Sequence, residues 1–199
     1  MKRYKLIGLT GQTGAGKSTA AAEFAALGAE LVNADELVSA LYAEDSPCVK
    51  TIAACFGAEI VGKDGGVDRR LLAQRAFSSK ENTALLGRLV HPFVTAALFE
   101  RLRGKTGIVI YDAPQLFESG ADVICDRVIA VLADEDIRIR RIIARDGLTE
   151  QHAYSRVRAQ YDERFFRENA DDLLENNGDE AGLRQNAALL YESLKSEVK

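Results

Sequence analysis

The chain has 199 residues and a mass of 21.7 kDa, which favours one compact domain with insertions over two independent domains. Its net charge of −4 argues against a nucleic acid or an acidic membrane surface as the main partner. No apolar run reaches the length of a membrane span, and the three cysteines lack the CxxC spacing of metal or redox sites. We therefore expect a cytoplasmic protein with reduced thiols.

Residues 11–18 carry the motif G-x-x-x-x-G-K-S, in which glycines let backbone N–H groups form a nest for phosphate oxygens. Lys17 can reach the β- and γ-phosphates, and the Ser18 hydroxyl can ligate Mg²⁺. The apolar run 5–10 predicts a buried strand before this loop, and the alanine-rich segment 18–27 predicts a helix after it. Strand, loop and helix in this order indicate a nucleotide-phosphate site rather than a chance glycine-rich turn.

The segment 30–33 predicts a second strand, followed by Asp35 at the edge where open parallel sheets bind ligands. Asp35 is also a suitable N-cap for a helix over 36–43, and the two roles are compatible. Further helices are predicted over 46–57, 68–77 and 79–103, the last kinked or restarted at His91-Pro92, with a short ribbon or loop at 59–66. Residues 40–105 thus form a mostly helical insertion that suggests a substrate-gripping subdomain.

The strand predicted over 108–112 ends in Asp112 and resembles a Walker B strand, where the carboxylate could reach Mg²⁺ directly or through water. The remaining predicted elements are a strand over 127–132, a helix over 135–146, a long polar helix over 149–167, a strand over 172–176 and a helix over 179–195. Short apolar strands that alternate with helices predict an α/β fold with a parallel sheet.

Three arginines, Arg138, Arg141 and Arg145, fall on one face of the helix over 135–146. A solvated face explains such a stripe. Arginines beside a P-loop core also neutralise transition-state charge in phosphoryl transfer, and the pattern does not decide between the two.

Several motifs in a fixed order resemble the dephospho-coenzyme A kinase family along nearly the whole chain. They are Gly8-Leu9-Thr10-Gly11, the P-loop, Leu27-Gly28, Asn33-Ala34-Asp35, Phe56-Gly57, Asp64-Gly65 with Arg69, His91-Pro92, Ala113-Pro114 with Leu116-Phe117-Glu118, Arg141 with Arg145, Ala159-Gln160, Ala170-Asp171-Asp172 and Asn176-Asn177-Gly178.

The resemblance implies transfer of the ATP γ-phosphoryl group to the ribose 3′-hydroxyl of dephospho-CoA, with Mg²⁺ as cofactor. It also implies a single domain with a P-loop core at about 1–39, 106–137 and 168–199, a helical CoA-binding insertion at about 40–105 and a lid at about 138–167. The expected partners are ATP and dephospho-CoA, without nucleic acid or membrane, and the expected state is a monomer or a weak homo-oligomer.

The same resemblance implies the site residues. Asp35, Lys17 and Arg141 are expected to be catalytic. The P-loop and the Walker B-like strand already indicate Ser18 and Asp112 as the residues that hold the metal ion. The residues expected to bind ATP are Gly11, Thr13, Gly14, Ala15, Gly16, Lys17, Ser18, Thr19 and Asn176, the last near the adenine. Those expected to bind the acceptor are Thr10, Asp35, Arg69, His91, Pro114 and Leu116.

The chain departs from the family pattern at Asn33, Gln115 and Arg138, where the family usually has Asp, Leu and Gln. The first departure removes one carboxylate and keeps Asp35.

Two alternative functions remain open. One is another small P-loop kinase that acts on a nucleotide or a small alcohol, and the other is a nucleotide-dependent switch or assembly protein. The chain has no Asn-Lys-x-Asp motif, which weakens a GTPase assignment.

Overall fold

The computed structural model describes residues 3–43 and 46–197. Within them, one sheet is formed by β1 (Tyr4–Gly11), β2 (Glu30–Asn33), β3 (Gly107–Asp112), β4 (Arg127–Leu132) and β5 (Asp172–Glu175). The helices of the described residues are α1 (Lys17–Ala26), α2 (Ala34–Leu41), α3 (Pro47–Phe56), α4 (Arg69–Ala76), α5 (Lys80–Leu102), α6 (Glu135–Asp146), α7 (Glu150–Arg158), α8 (Glu163–Asn169) and α9 (Glu180–Ser196).

The strand order is β2-β3-β1-β4-β5, and β1 pairs in parallel with both β3 and β4. Leu9 lies opposite Asp112, and Gly11 lies opposite Val131, so the carboxyl ends of the central strands meet at one edge. The predicted α/β fold with a parallel sheet is confirmed. This edge is where a parallel sheet presents loops to a ligand.

The chain divides into two compact units, of which the first holds residues up to Val32 and from Gly104 onward. Its core is formed by the apolar strands together with α1 and α9, as the fully buried Ile7 and Phe24 illustrate. Phe24 lies beside Tyr191 of α9, with ring centroids 6.2 Å apart. Burial of this apolar surface is the main force that holds the loops at the sheet edge in place.

The second unit, Asn33–Arg103, is helical and has its own core, which includes Ile52, Ile60 and Val90. The segment around residues 58–67 combines a 3₁₀ turn with one antiparallel bridge between Val61 and Val67. The functional division into core, CoA-binding insertion and lid remains a prediction. Residues 1–2, 44–45 and 198–199 of those predicted ranges lie outside the described residues.

Helix α2 differs from the prediction at its start. It begins at Ala34, and its N-cap is Asn33 rather than Asp35. The Asn33 side-chain oxygen accepts hydrogen bonds from the N–H groups of Asp35 at 2.8 Å and Glu36 at 3.2 Å. Asn33 has the extended backbone of a strand end, which suits an N-cap, and its amide oxygen performs this role as well as a carboxylate does. The Asp35 carboxylate is therefore not used as the cap of its own helix.

Two other predictions about helices differ from the structure. Helix α5 continues through Pro92 without a restart. The helix predicted over 149–167 is instead two helices, α7 and α8, separated by residues 159–162. The Asp162 carboxylate accepts from the Phe165 N–H at 2.9 Å and so starts a new helix there.

The three cysteines are free thiols, as expected. Cys48 is buried, whereas Cys55, seven residues later in α3, is exposed. Burial raises the pKa of the Cys48 thiol to about 11, which keeps it protonated and unreactive at neutral pH.

We predict that Leu183→Ala lowers the free energy of unfolding by about 2–5 kcal/mol, because Leu183 is 2% exposed in the core between sheet and helices. The matched control is Leu189→Ala on the same helix, where the side chain is 66% exposed and the expected change stays within about 0.5 kcal/mol. Urea unfolding measures both. Similar losses in the two variants would contradict this description of α9.

Candidate active site

The P-loop connects β1 to α1 at the carboxyl edge of the sheet. A Cβ atom on Gly11 would lie 2.3 Å from the Val131 carbonyl oxygen, so only glycine allows β1 to approach β4 this closely. The adjacent Gln12 N–H donates to the same carbonyl at 3.1 Å. The start of the loop is thus fixed by backbone contacts to β4.

The loop ends at Gly16, whose left-handed backbone (φ 103°) begins α1 without a side-chain cap. Among the described residues, nothing accepts a hydrogen bond from the N–H groups of Lys17 and Ser18 in the first turn. Unpaired N–H groups at a helix N-terminus, together with the helix dipole, form a site for an anion. Thr19 follows in the same turn, and its N–H donates to the Gly16 carbonyl at 3.0 Å.

Asn176, which follows β5, holds the same loop through a hydrogen bond. Its side-chain amide donates to the Ala15 carbonyl at 2.7 Å, and the residue is only 6% exposed. A Cβ atom on Gly16 would lie 2.5 Å from this amide nitrogen. The loop therefore needs glycine at position 16 for two reasons, its backbone angle and the close approach of Asn176.

Arg141 of α6 holds Asn176 in turn. Its Nη1 donates to the Asn176 carbonyl at 3.1 Å, and its Nη2 donates to the Asn176 side-chain oxygen at 3.3 Å and to the Gly178 carbonyl at 3.1 Å. A guanidinium has five N–H donors, so the Nε hydrogen and one Nη1 hydrogen are not needed for these bonds. Arg141 can thus fasten the loop after β5 and still donate to a second group.

The other two arginines of α6 have different surroundings. Arg138 is 5% exposed and donates to the Ala133 carbonyl at 2.9 Å, and burial lowers the pKa of its guanidinium. Arg145 is exposed and pairs with Asp146, whose hydrogen bond raises the pKa of Arg145. The arginine stripe is therefore not one solvated face. Each member has its own partner.

Lys17 donates a hydrogen bond from its ammonium group to the carboxylate of Asp112. Asp112 is the last residue of β3 and is 5% exposed, so this ion pair is largely removed from water. A buried carboxylate beside the P-loop lysine adds a negative group to the rim of the anion site. Either an incoming cation or the lysine itself can neutralise it.

The described residues alone offer too few oxygen ligands here for a divalent cation, so a bound phosphate group must supply the others. The oxygens of Ser18 and Asp112 are hard donors of the kind that Mg²⁺ prefers. In the described part of the chain, no group of three or more His, Cys, Asp or Glu side chains could hold a metal ion. Mg²⁺ commonly binds through one or two protein oxygens plus substrate phosphates, which agrees with both observations.

The loop after β3 is fastened to β1. The hydroxyl of the fully buried Thr10 donates to the Pro114 carbonyl at 3.3 Å. Leu116 is also fully buried, and a Cβ atom on Gly8 would lie 2.7 Å from its side chain. These contacts fix the course of the loop, and an acceptor role for its residues remains a prediction.

The three remaining predicted site residues belong to the helical unit. Asp35 is exposed in the first turn of α2, and within this unit no described donor bonds its carboxylate. Arg69 starts α4, with its guanidinium carbon 5.8 Å from the centroid of the Tyr42 ring. His91 is half-buried in α5, and burial lowers the pKa of its imidazole.

The structure thus joins Lys17 to Asp112, and Arg141 and Asn176 to the P-loop, within the sheet unit. Sequence reasoning missed one contact there. The side-chain oxygen of Gln160 accepts from the Thr13 N–H at 2.7 Å. The Ala159-Gln160 motif was the available signal, but no local pattern connects it to the P-loop.

Of the described helices, none is long and apolar enough to span a membrane.

We predict that Asn176→Ala lowers the free energy of unfolding by about 1–3 kcal/mol and weakens nucleotide binding, because the Ala15 carbonyl and Arg141 lose a buried partner. Asn177→Ala is the control, since its hydrogen bonds to Asp134 are exposed and their loss is expected to cost less than about 1 kcal/mol. Chemical unfolding and calorimetric titration with ATP test both variants. Equal effects would remove Asn176 from the support of the loop.

We also predict a contribution of His91 to the pH dependence of stability. Because burial lowers its pKa below 6.5, the unfolded chain binds the proton more readily than the folded chain. The free energy of unfolding is therefore expected to fall as the pH drops below about 7, and His91→Gln should reduce this fall. Gln151→Ala, which replaces an exposed and non-titratable side chain of α7, should keep the wild-type slope. Urea unfolding at a series of pH values measures the slopes, and an unchanged slope in His91→Gln contradicts the prediction.

Comparisons with known proteins point to one family. The family model described as "Dephospho-CoA kinase" matches residues 5–181. A dephospho-CoA kinase of Syntrophotalea carbinolica is 39% identical over 179 residues, which cover 87% of this chain and 84% of the relative. A solved structure from Thermus thermophilus is 34% identical, with a TM-score of 0.80 and coverage of 96% of this chain and 98% of that one. The dephospho-CoA kinase of Campylobacter jejuni shares the fold at a TM-score of 0.62 and 22% identity, over 98% of this chain and 99% of that one. The chain therefore belongs to the dephospho-CoA kinase family.

Proposed function

We propose that this protein transfers the γ-phosphoryl group of ATP to the ribose 3′-hydroxyl of dephospho-CoA, giving coenzyme A and ADP. The observation that carries the proposal is a P-loop with uncapped N–H groups and Lys17, in a chain that the dephospho-CoA kinase model matches over residues 5–181. Phosphoryl transfer has a loose transition state, so the enzyme acts mainly by positioning and by charge stabilisation.

The P-loop binds the ATP phosphates in this proposal. The N–H groups of Gly14, Gly16, Lys17 and Ser18, at the N-terminus of α1, contact phosphate oxygens. Lys17 exchanges Asp112 for a phosphate oxygen, since its flexible stem allows one donor group to serve either partner. Asn176, placed by Arg141, keeps the loop in the binding conformation and also borders the adenine.

Ser18 and Asp112 are the residues that would hold Mg²⁺, together with phosphate oxygens of ATP. The metal ion, when bound, neutralises negative charge on the phosphates and thereby favours transfer. The divalent cation of this kinase family is thus assigned here to a pair of oxygen ligands, one from the first turn of α1 and one from the end of β3.

Asp35 is proposed to orient the 3′-hydroxyl and to accept its proton at a carboxylate oxygen. Asn33 caps α2, so the Asp35 carboxylate is left for the acceptor. Arg69 and His91 of the helical unit are assigned to acceptor binding. Thr10, Pro114 and Leu116 of the sheet unit are also assigned to acceptor binding. Cytoplasmic location and a monomeric or weakly oligomeric state complete the proposal.

Arg141 is proposed to stabilise charge on the transferred group with the donors that Asn176 and Gly178 leave available. An arginine fixed at two points loses little conformational freedom when a third partner arrives. Closure of the surrounding segment excludes water, which prevents hydrolysis of ATP.

The test is a product assay with purified protein, ATP, Mg²⁺ and one acceptor at a time. We expect ADP and coenzyme A in equal amounts from dephospho-CoA. Coenzyme A itself, which already carries the 3′-phosphate, should give no product, and a small polyol should give none either. ADP formed equally with and without dephospho-CoA would indicate a nucleotide-dependent switch and would reject the proposal.

We predict that Asp35→Asn lowers kcat on the order of 10²-fold or more, because the amide has the size of the carboxylate and cannot accept a proton. Thermal stability should change little, since Asn33 rather than Asp35 caps the helix. Glu36→Gln is the matched control, because Glu36 is also an exposed acid in the first turn of α2, and its kcat should stay within about twofold. Steady-state kinetics with dephospho-CoA measure both, and near wild-type turnover of Asp35→Asn would show that the acceptor is activated elsewhere.

A further inference from the structure

Within the P-loop, the Ala15 N–H donates to the Gln12 carbonyl at 3.0 Å, whereas the Thr13 N–H bonds to a side chain far away in the sequence. Among the described residues, the N–H groups of Gly14, Gly16, Lys17 and Ser18 have no acceptor, as an anion site requires. The Thr13 N–H instead donates to the side-chain oxygen of Gln160 at 2.7 Å. A side chain 147 positions away in the sequence thus takes up one donor of the phosphate nest.

The position of Gln160 is fixed on both sides. Before it, α7 packs on α6 through Ala153 and Val157. After it, Tyr161 stacks on Phe165 with ring centroids 3.8 Å apart. Phe165 meets the Phe117 ring edge to face, with centroids 5.3 Å apart. A short segment held at two ends presents the amide to the loop in a defined place, so the contact is not that of a freely moving surface side chain.

Phe166, next to this aromatic cluster, is 2% exposed and packs with Ala130 and Leu132 of β4. The same strand contacts the start of the P-loop through Val131. The segments that carry Gln160 and Thr13 therefore both pack against β4. The distance between these two residues is set by the fold and not by the Gln160 side chain alone.

The chemistry of the two acceptors differs. The Gln160 oxygen is neutral, whereas a phosphate oxygen is charged and forms a hydrogen bond about twice as strong with the same donor. One N–H group directs its hydrogen at only one acceptor with good geometry. A phosphate that reaches Thr13 must therefore displace the Gln160 amide.

We propose that Gln160 is a positioning residue that holds the Thr13 N–H until a nucleotide phosphate oxygen replaces it. The proposal rests on the proposed function, because it takes the P-loop as the nucleotide site. Displacement of the amide releases the link between α7 and α8 from the loop, which couples phosphate binding to the position of this link.

The experiment measures nucleotide binding without any acceptor, so it is independent of the product assay. Calorimetric titrations with ADP and with ATP compare wild type, Gln160→Ala, Gln160→Glu and the control Gln151→Ala, a glutamine on the exposed face of α7. Gln160→Ala should bind about two- to tenfold more tightly, because no hydrogen bond has to be broken. Gln160→Glu should bind at least about tenfold more weakly, because a charged acceptor holds the N–H and repels phosphate. Gln151→Ala should stay within about twofold.

A second measurement uses the wild-type protein alone. In ¹⁵N-resolved NMR spectra, the Gln160 side-chain NH₂ and Thr13 amide signals should shift together on addition of ADP, ATP or inorganic tripolyphosphate, while the Gln151 side-chain signals stay in place. A response to ATP without a response to ADP would assign the displacing oxygen to the terminal phosphate. Unchanged or weaker binding by Gln160→Ala, or a Gln160 signal indifferent to all three phosphates, would overturn the proposal. If these shifts are present but the product assay gives no coenzyme A, only the assignment of dephospho-CoA as the acceptor is rejected, and the role of Gln160 stands.

Discussion

The hydrogen bond from the Asn176 side chain to the Ala15 carbonyl determines much of what surrounds it. It requires glycine at position 16, because any side chain there would collide with the amide. It draws the end of β5 toward the start of α1, two segments far apart in the sequence. It also gives Arg141 a fixed carbonyl and amide oxygen to bind. This hydrogen bond restrains a glycine-rich loop before any ligand arrives, which lowers the entropic cost of binding.

Elements with local signals could be predicted from the sequence. The apolar run of β4 and the helix α6, which ends at the left-handed Gly147, have the predicted bounds. The start of α2 is not decided by local pattern, because two suitable capping residues, Asn33 and Asp35, lie only two positions apart. The division of α7 from α8 was missed since helical periodicity continues across it, while the Asp162 cap and the stacking of Tyr161 on Phe165 depend on the folded geometry.

The candidate site shows the same distinction. The P-loop could be predicted because its chemistry is contiguous, so that spacing alone identifies the nest, the lysine and the hydroxyl. The support of the loop could not be predicted, since Asn176 and Ala15 are 161 positions apart. The arginines of α6 share a helical face, yet only their tertiary partners separate the buried Arg138 from the solvent-exposed Arg145. The spacing of residues along a helix predicts which side chains share a face, but it does not predict the tertiary contacts of that face.

The two outer strands of the sheet, β2 and β5, are each four residues long, whereas the central β1 has eight. Both also carry acids at their ends, Glu30 in β2 and Asp172 with Glu175 in β5. These acids are held in ion pairs, Glu30 with Lys105, Asp172 with Arg127 and Glu175 with Arg167. A short border strand offers few N–H and C=O groups to a strand from another molecule. The long apolar strands that build the catalytic edge are enclosed between these borders. The sheet can therefore be strongly apolar at its centre while its outer strands present only a short template for intermolecular β-pairing.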